Sequence, residues 1–97
     1  MSLTTTDAVD GQRYEAHDGD DLAGFIDYVL KRGRIALVHT ETVAGHEGRG
    51  VAAQLVRFAL DDARRRELRV IPICPYVKAY LERHPDQADI VVGAPRG

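Results

Sequence analysis

A chain of 97 residues, 44% hydrophobic and 29% charged, is long enough for one hydrophobic core and too short for a second catalytic domain. Its 13 Lys and Arg stand against 15 Asp and Glu, a formal charge of −2 that argues against a dedicated nucleic-acid binder. Cys74 is the single cysteine, so no internal disulfide forms and a reducing, cytoplasmic setting is expected. No apolar run approaches the roughly 18 residues of a membrane span, and the polar opening Met1-Ser2-Leu3-Thr4-Thr5-Thr6-Asp7 lacks the basic-then-apolar order of a signal peptide.

Residues 1–30 hold seven acids and one base, a net of −6, and the remainder holds twelve bases and eight acids, a net of +4. That surplus suits a small anionic ligand better than a polyanion. Residues 1–10, with Thr, Ser and Asp around isolated apolar residues, read as a flexible leader ahead of a single domain over 11–92, with 93–97 as a tail.

Tyr14 and Ala16 alternate with Glu15 and His17 up to the turn Asp18-Gly19-Asp20-Asp21. Leu22, Gly24, Ile26, Tyr28 and Leu30 then follow at period two, which predicts a β-hairpin, although a helix over 22–30 also fits that apolar content. After Lys31-Arg32-Gly33-Arg34 comes a β-branched run, with Ile35, Leu37, His39, Glu41 and Val43 on one face, for a third antiparallel strand. From Val51 the period becomes three to four, through Ala52, Leu55, Val56, Ala59 and Ala63, predicting a helix from about Gly50 to Glu67. Val70-Ile71-Pro72-Ile73 reads as a short strand at an edge or bulge. Pro75 suits the first turn of a second helix whose apolar face is Tyr76, Val77, Tyr80 and Leu81 and which His84-Pro85 stops. Ile90-Val91-Val92 is expected as a last short strand.

The stretch Val43-Ala44-Gly45-His46-Glu47-Gly48-Arg49-Gly50-Val51-Ala52 joins a strand to a long helix through a glycine-rich turn. Such junctions bind anions, because glycines admit close backbone approach and the first helical amides lack internal acceptors. A plain tight loop has the same appearance. The Lys-Ser/Thr of a P-loop is missing, as is the acidic residue of a dinucleotide fold.

The turn Gly45-His46-Glu47-Gly48-Arg49-Gly50 resembles the pyrophosphate loop of the GNAT acetyltransferase superfamily, Gln/Arg-x-x-Gly-x-Gly/Ala, with Gly45 at the first position. His39-Thr40-Glu41, Gly48-Arg49-Gly50, Pro72-Ile73-Cys74-Pro75-Tyr76-Val77 and Tyr80-Leu81-Glu82-Arg83-His84-Pro85 are similar to the short branch of that superfamily named for its Cys and Gly residues, over residues 13–92. The resemblance implies a minimal α/β (α+β) GNAT-like fold: a mostly antiparallel sheet, a long helix after the glycine turn and a second C-terminal helix. It implies acetyl-CoA as cosubstrate and an amine acceptor, small molecule or protein. The backbone near Thr42 and Val43 would pair with the pantetheine arm. The amides of Gly48, Gly50, Val51 and Ala52, with Arg49, would take the pyrophosphate. The short turn Asp18 to Asp21 leaves no room for the helices that wall the acceptor site in longer members.

Cys74 is either a buried small hydrophobe or a thiolate nucleophile stabilised by the following helix. Tyr80 is either a packed aromatic or, by the resemblance, the acid that protonates the departing CoA thiolate. His39, on the Ile35/Leu37 face, reads first as a packed residue, with Glu41 a rival base. No metal is expected: His46-Glu47 lacks the second His of a zinc helix, and Asp18-Gly19-Asp20-Asp21 lacks the closing Glu of a calcium loop. The leading reading is an acetyl-CoA-dependent N-acetyltransferase, with a CoA-binding regulatory module without turnover as the alternative. A nucleic-acid role for Arg64-Arg65-Arg66 and Arg69 rests on a charge run that a solvated helix face also explains. Nothing in the residues demands a partner chain.

Overall fold

Alternating apolar residues and a change of period near residue 50 produce a single sheet with helices on one face. The computed structural model describes residues 3–93. Five strands, β1 (Leu3–Ala8), β2 (Arg13–Asp18), β3 (Asp21–Lys31), β4 (Arg34–Thr42) and β5 (Arg69–Pro72), lie side by side in chain order. All neighbours are antiparallel except β4 and β5, which run parallel because α1 (Val51–Arg65) carries the chain back between them. After β5 comes α2 (Pro75–Arg83), then a 3-10 segment Pro85–Ile90.

The segment expected as a flexible leader is instead the edge strand β1 followed by a 3-10 turn, Val9–Gly11. Its residues lack a large apolar set, so the signal of order is polar and long-range. Tyr28 donates its hydroxyl to Asp7 Oδ1 at 2.6 Å, Arg66 approaches Asp7 at 3.6 Å, and Gln54 Nε2 donates to the Leu3 carbonyl and to Thr5 Oγ1. Met1 and Ser2, and residues 94–97 of the expected tail, lie outside the described residues. The expected strand at Ile90–Val92 shrinks to one parallel bridge, Val91 to Val70.

The core fills the space between the sheet and both helices. Tyr14, Ala16, Ile26, Tyr28, Ile35 and Leu37 face Val51, Leu55, Val56, Ala59, Leu60 and Ala63 of α1, and Val77, Tyr80 and Leu81 of α2. Each fully buried Leu or Val side chain contributes on the order of 1.5–3 kcal/mol. Helix α1 ends where Leu68 N–H reaches back to the Ala63 carbonyl at 2.8 Å, with Arg64 and Arg65 in its last turn complementing the helix dipole.

One end of the core is polar. Tyr14 donates to the buried Asp62 at 2.7 Å, and Asp62 also accepts from Arg65 and from Arg66 at 3.2 Å. Burial alone would raise the Asp62 pKa, but these donors hold its carboxyl below the usual range. Arg64 makes a two-pronged pair with Asp89, and Arg69 donates to the Asp89 carbonyl at 2.6 Å. The arginine run of the nucleic-acid reading is thus engaged in internal pairing.

Two insertions bend the sheet. Ala23 is the extra residue opposite the Ala16/His17 step, and Val38 is the extra residue opposite the Asp27/Tyr28 step. Gly24, beside the first, meets α1 so closely that a Cβ there would lie 2.7 Å from both Val51 Cγ1 and the Glu41 carbonyl. We therefore expect Gly24→Ala to push α1 off the sheet and cost about 1–3 kcal/mol by overpacking, read as a lower denaturant midpoint. An unchanged midpoint would contradict this packing.

The polar end also sets an alkaline limit. Burial, followed by the hydrogen bond to Asp7, pushes Tyr28 up to about 12, and burial together with Asp62 raises Tyr14 further. The unfolded chain releases these protons near about pH 10, so stability that is full below that pH is lost as pH rises through the folded values. In a tyrosinate absorbance titration, a delayed fraction should ionise together with loss of circular dichroism and vanish in Y14F/Y28F. A single tyrosine step in a still-folded protein would contradict the assignment.

Candidate functional site

The site begins where β4 and β5 part. They pair from Arg34↔Arg69 to Leu37↔Pro72, with the Arg69 and Ile73 amides facing β4; the Leu37 carbonyl takes both Ile73 N–H, at 3.1 Å, and Cys74 N–H, at 2.9 Å, and Pro75, next in that alternating series, has no amide to continue the ladder. β5 then turns into α2, while β4 runs on to Thr42 with no strand on that side among the described residues. Val38 and Ile73, both exposed, stand at the parting.

The Val38 bulge reverses the inside-outside alternation of the rest of β4. Leu37 pairs with Tyr28 on the core face, but His39 pairs with Asp27 and so lies on the opposite face, its side chain 54% exposed and 3.2 Å from Glu41. This corrects the expectation that His39 shares the Ile35/Leu37 face. Thr40, paired with Ile26, moves to the helix side.

Backbone directions along the open edge differ between the two pairing residues expected there. Val43 N–H donates to the Ala23 carbonyl at 2.8 Å and its own carbonyl accepts from His46 N–H at 3.0 Å, so both groups are occupied. By strand alternation the Thr42 amide and carbonyl point to the open edge instead.

The glycine turn follows. Gly45, Gly48 and Gly50 all have positive φ, and Gly50, at 72°, is the residue before α1. Residues with side chains adopt this conformation at a cost, so the path of the loop depends on these glycines. No side chain caps α1, no acidic residue lies in its first turn, and its first internal acceptor-donor pair is Gln54 N–H to the Gly50 carbonyl. The amides of Val51, Ala52 and Ala53 are therefore without helical partners. Arg49 donates through Nη2 to Asp18 Oδ2 at 3.1 Å and contacts His46 Nδ1 through Nη1 at 2.7 Å, tying the turn to the end of β2. Its Nε is buried and has no hydrogen-bond partner. Asp18 thus has a specific role that its position in a solvated turn did not announce.

Cys74 is the residue before α2, and it is 4% exposed. Its Sγ lies 3.3 Å from Thr40 Oγ1. Burial by itself would raise the thiol pKa; the Thr40 hydroxyl and the amides of Val77 and Tyr76 outweigh it and bring Cys74 below the ordinary cysteine range. This environment favours a thiolate. Tyr80 is buried in the middle of α2, its ring stacked on His84 at 4.2 Å between centroids. Its hydroxyl makes no side-chain hydrogen bond among the described residues.

Helices α1 and α2 pack on the same face of the sheet and touch each other. The far face carries Arg13, Glu15, Phe25, Asp27, His39 and Glu41, with the Arg13 guanidinium 4.4 Å from the Phe25 ring centre. Strands β1 and β2 are joined by the Val9–Gly11 turn, and β2 and β3 by Gly19 and Asp20 alone. Among the described residues no group of three or more His, Cys, Asp or Glu is placed to hold a metal, and no helix is long and apolar enough to cross a membrane. Two concavities lie elsewhere, one of about 480 Å³ beside Gly33, Arg64 and Arg69 and one of about 430 Å³ between α2 and Val91–Gly93.

A strand running into a glycine turn and an uncapped helix is the arrangement that the resemblance to GNAT acetyltransferases implied. Residues 13–90 match the family described as GCN5-related N-acetyl-transferase, and the chain belongs to that family. The protein NATD1 of Gallus gallus is 36% identical over 59 residues, covering 61% of this chain and 53% of its own. The human protein NATD1 is also 36% identical over 59 residues, with 51% of its length covered. The chain thus matches about half the length of these relatives. A GCN5-like protein of Staphylococcus aureus, solved in solution by NMR, superposes with a TM-score of 0.68 at 21% identity, over 97% of this chain and 90% of that one, which establishes the likeness of fold.

Proposed function

We propose that this acetyltransferase-family chain uses acetyl-CoA as donor and passes the acetyl group to an amine, small molecule or protein, in the cytoplasm. The observation that carries the reading is the open edge of β4 running into a turn whose helical amides have no partner. The orphaned Arg49 Nε and the lack of any acid in the first turn of α1 fit an anionic group there. In this reading the Thr42 backbone pairs with the pantetheine amides. The amides of Gly48, Gly50, Val51 and Ala52 receive the pyrophosphate, with Arg49 as a charge-assisted donor once it leaves Asp18. Val43, its own amide and carbonyl in use, holds the strand in register.

Cys74 is assigned as nucleophile. Its sulfur bonds to the acetyl carbon while the bond from that carbon to the CoA sulfur breaks, and Tyr80 supplies a proton to the departing thiolate. The amine nitrogen then bonds to the acetyl carbon, the bond from that carbon to the Cys74 sulfur breaks, and the amine's proton is lost to solvent, from which the Tyr80 phenolate regains its own. The acceptor approaches from the sheet face that no helix covers, through the gap where β4 and β5 part. That bare face also favours the second reading, a CoA-binding module without turnover, since the usual wall of an acceptor pocket is missing.

Calorimetric titration with CoA should show saturable binding that is lost in Gly48→Glu, which puts a carboxylate at the turn, and retained in Gly48→Asn, which tolerates the same positive φ. Mixing with acetyl-CoA should add one acetyl mass mapping to Cys74. No binding to the unmodified protein overturns the reading; binding without acetyl-Cys74 or turnover selects the second.

Tyr80→Phe should bind CoA normally and lower the transfer rate about 10²-fold or more, as expected for loss of a general acid. A wild-type rate across pH would remove that role.

A further inference from the structure

We infer that Thr40 is the positioning residue for the Cys74 thiolate, an assignment that rests on the cysteine route proposed above and deepens it. The geometry comes from three features acting together. The Val38 bulge shifts the register between Tyr28↔Leu37 and Asp27↔His39, which turns Thr40 to the helix side of β4. The Leu37 carbonyl, accepting from both Ile73 and Cys74 amides, anchors the backbone of Cys74 against β4 two residues past the end of β5. Pro75 then starts α2, so the sulfur stands at the helix entrance, 3.3 Å from Thr40 Oγ1.

A thiol and a thiolate ask different things of this pair. While protonated, Cys74 donates to the Thr40 oxygen. When the proton leaves, the hydroxyl rotates and donates to the sulfur, joining the helical amides of Tyr76 and Val77 as donors to the anion. The carboxylates on the same stretch of β4 face away: Glu41 and His39 lie on the opposite side of the sheet, so no negative charge of β4 opposes the thiolate. Cys74 shares its buried cluster with the apolar Val51 and Leu55 of α1, which meet Gly24 on β3, and with Val77 and the titratable Tyr80 of α2. Thr40 is therefore the one side chain on β4 whose hydroxyl both orients the sulfur and stabilises its charged form. In the acylation step Cys74 sulfur forms the bond to the acetyl carbon as the donor's thioester bond breaks. Thr40 keeps its own proton and gives up only the hydrogen bond as the sulfur loses its charge.

The test uses the full chain and Thr40→Val, which keeps the shape and removes the hydroxyl, with Thr40→Ala as a second deletion should the first fold poorly and Thr40→Ser as the conservative rescue. Because Cys74 is the single cysteine, ultraviolet thiolate absorbance against Cys74→Ala reports its ionisation directly. The pH midpoint should move upward in Thr40→Val and return in Thr40→Ser, with about tenfold less thiolate near neutral pH in the deletion, the scale of one hydrogen bond to a charged group. Midpoints unchanged in the folded deletion variants overturn the assignment. Failure of the proposed acetyl transfer is read separately, by mass, in the unmodified protein: a shifted and rescued midpoint supports Thr40 whatever that mass shows.

Discussion

The carbonyl of Leu37 accepts two amides, those of Ile73 and Cys74, and the architecture of the site depends on that double acceptance. A parallel ladder continues only while each strand supplies an amide at every second residue; on β5 the amides of Arg69 and Ile73 face β4, and Pro75, the next in that series, supplies none. The consequence is a fork: β4 proceeds alone to Thr42, and β5 is diverted into α2. The fork leaves backbone groups without partners in the interior of a sheet, a costly arrangement unless a ligand or solvent meets them. It also delivers a cysteine to a helix entrance beside that gap.

Opposite ends of the molecule do different work. At the far end of α1, Tyr14, Asp62, Arg66, Asp7 and Tyr28 form a connected polar network that fastens β1 and the helix to the sheet. At the near end, close contact between Gly24 and Val51 sets the height of α1 above the sheet, and Arg49 ties the glycine turn to Asp18. Fastening contacts thus lie at both ends of α1, while its first amides are left uncapped. A domain of this size has only one core to hold both ends, and the helices occupy only one face of its sheet.

Cys74 illustrates how competing terms are resolved. Its burial opposes ionisation, as it does for any thiol in an apolar setting. Directed donors from Thr40 and from two helical amides prevail because they act at contact distance on the charged form. A cysteine packed with the same burial but without those donors would be an inert core residue.

Much of this was legible in the residue pattern. The alternation through Ile26 and Tyr28, the three-to-four period after Val51, and the turn chemistry of Pro75 and His84-Pro85 each reflect local rules of backbone geometry and burial. The separated motifs around Gly48, Cys74 and Tyr80 pointed to the family that the match over residues 13–90 establishes. The strand β1 was not legible, because a Thr-rich segment with one Leu carries little hydrophobic signal and, beyond its ladder with β2, is tied down by Tyr28 and Gln54, more than 20 residues away. Nor was the face of His39, since a bulge inserts a residue without changing composition and inverts every assignment beyond it. Gly24 in mid-strand was a signal of close approach, but its partner Val51 belongs to another element. The sequence by itself determined β2 to β5, both α-helices and the glycine turn, because these follow from interactions within a few residues. Only the tertiary structure decided which amides remain free on β4, where Arg49 is held, and that Thr40 meets Cys74, because each depends on the register of strands brought together from distant parts of the chain.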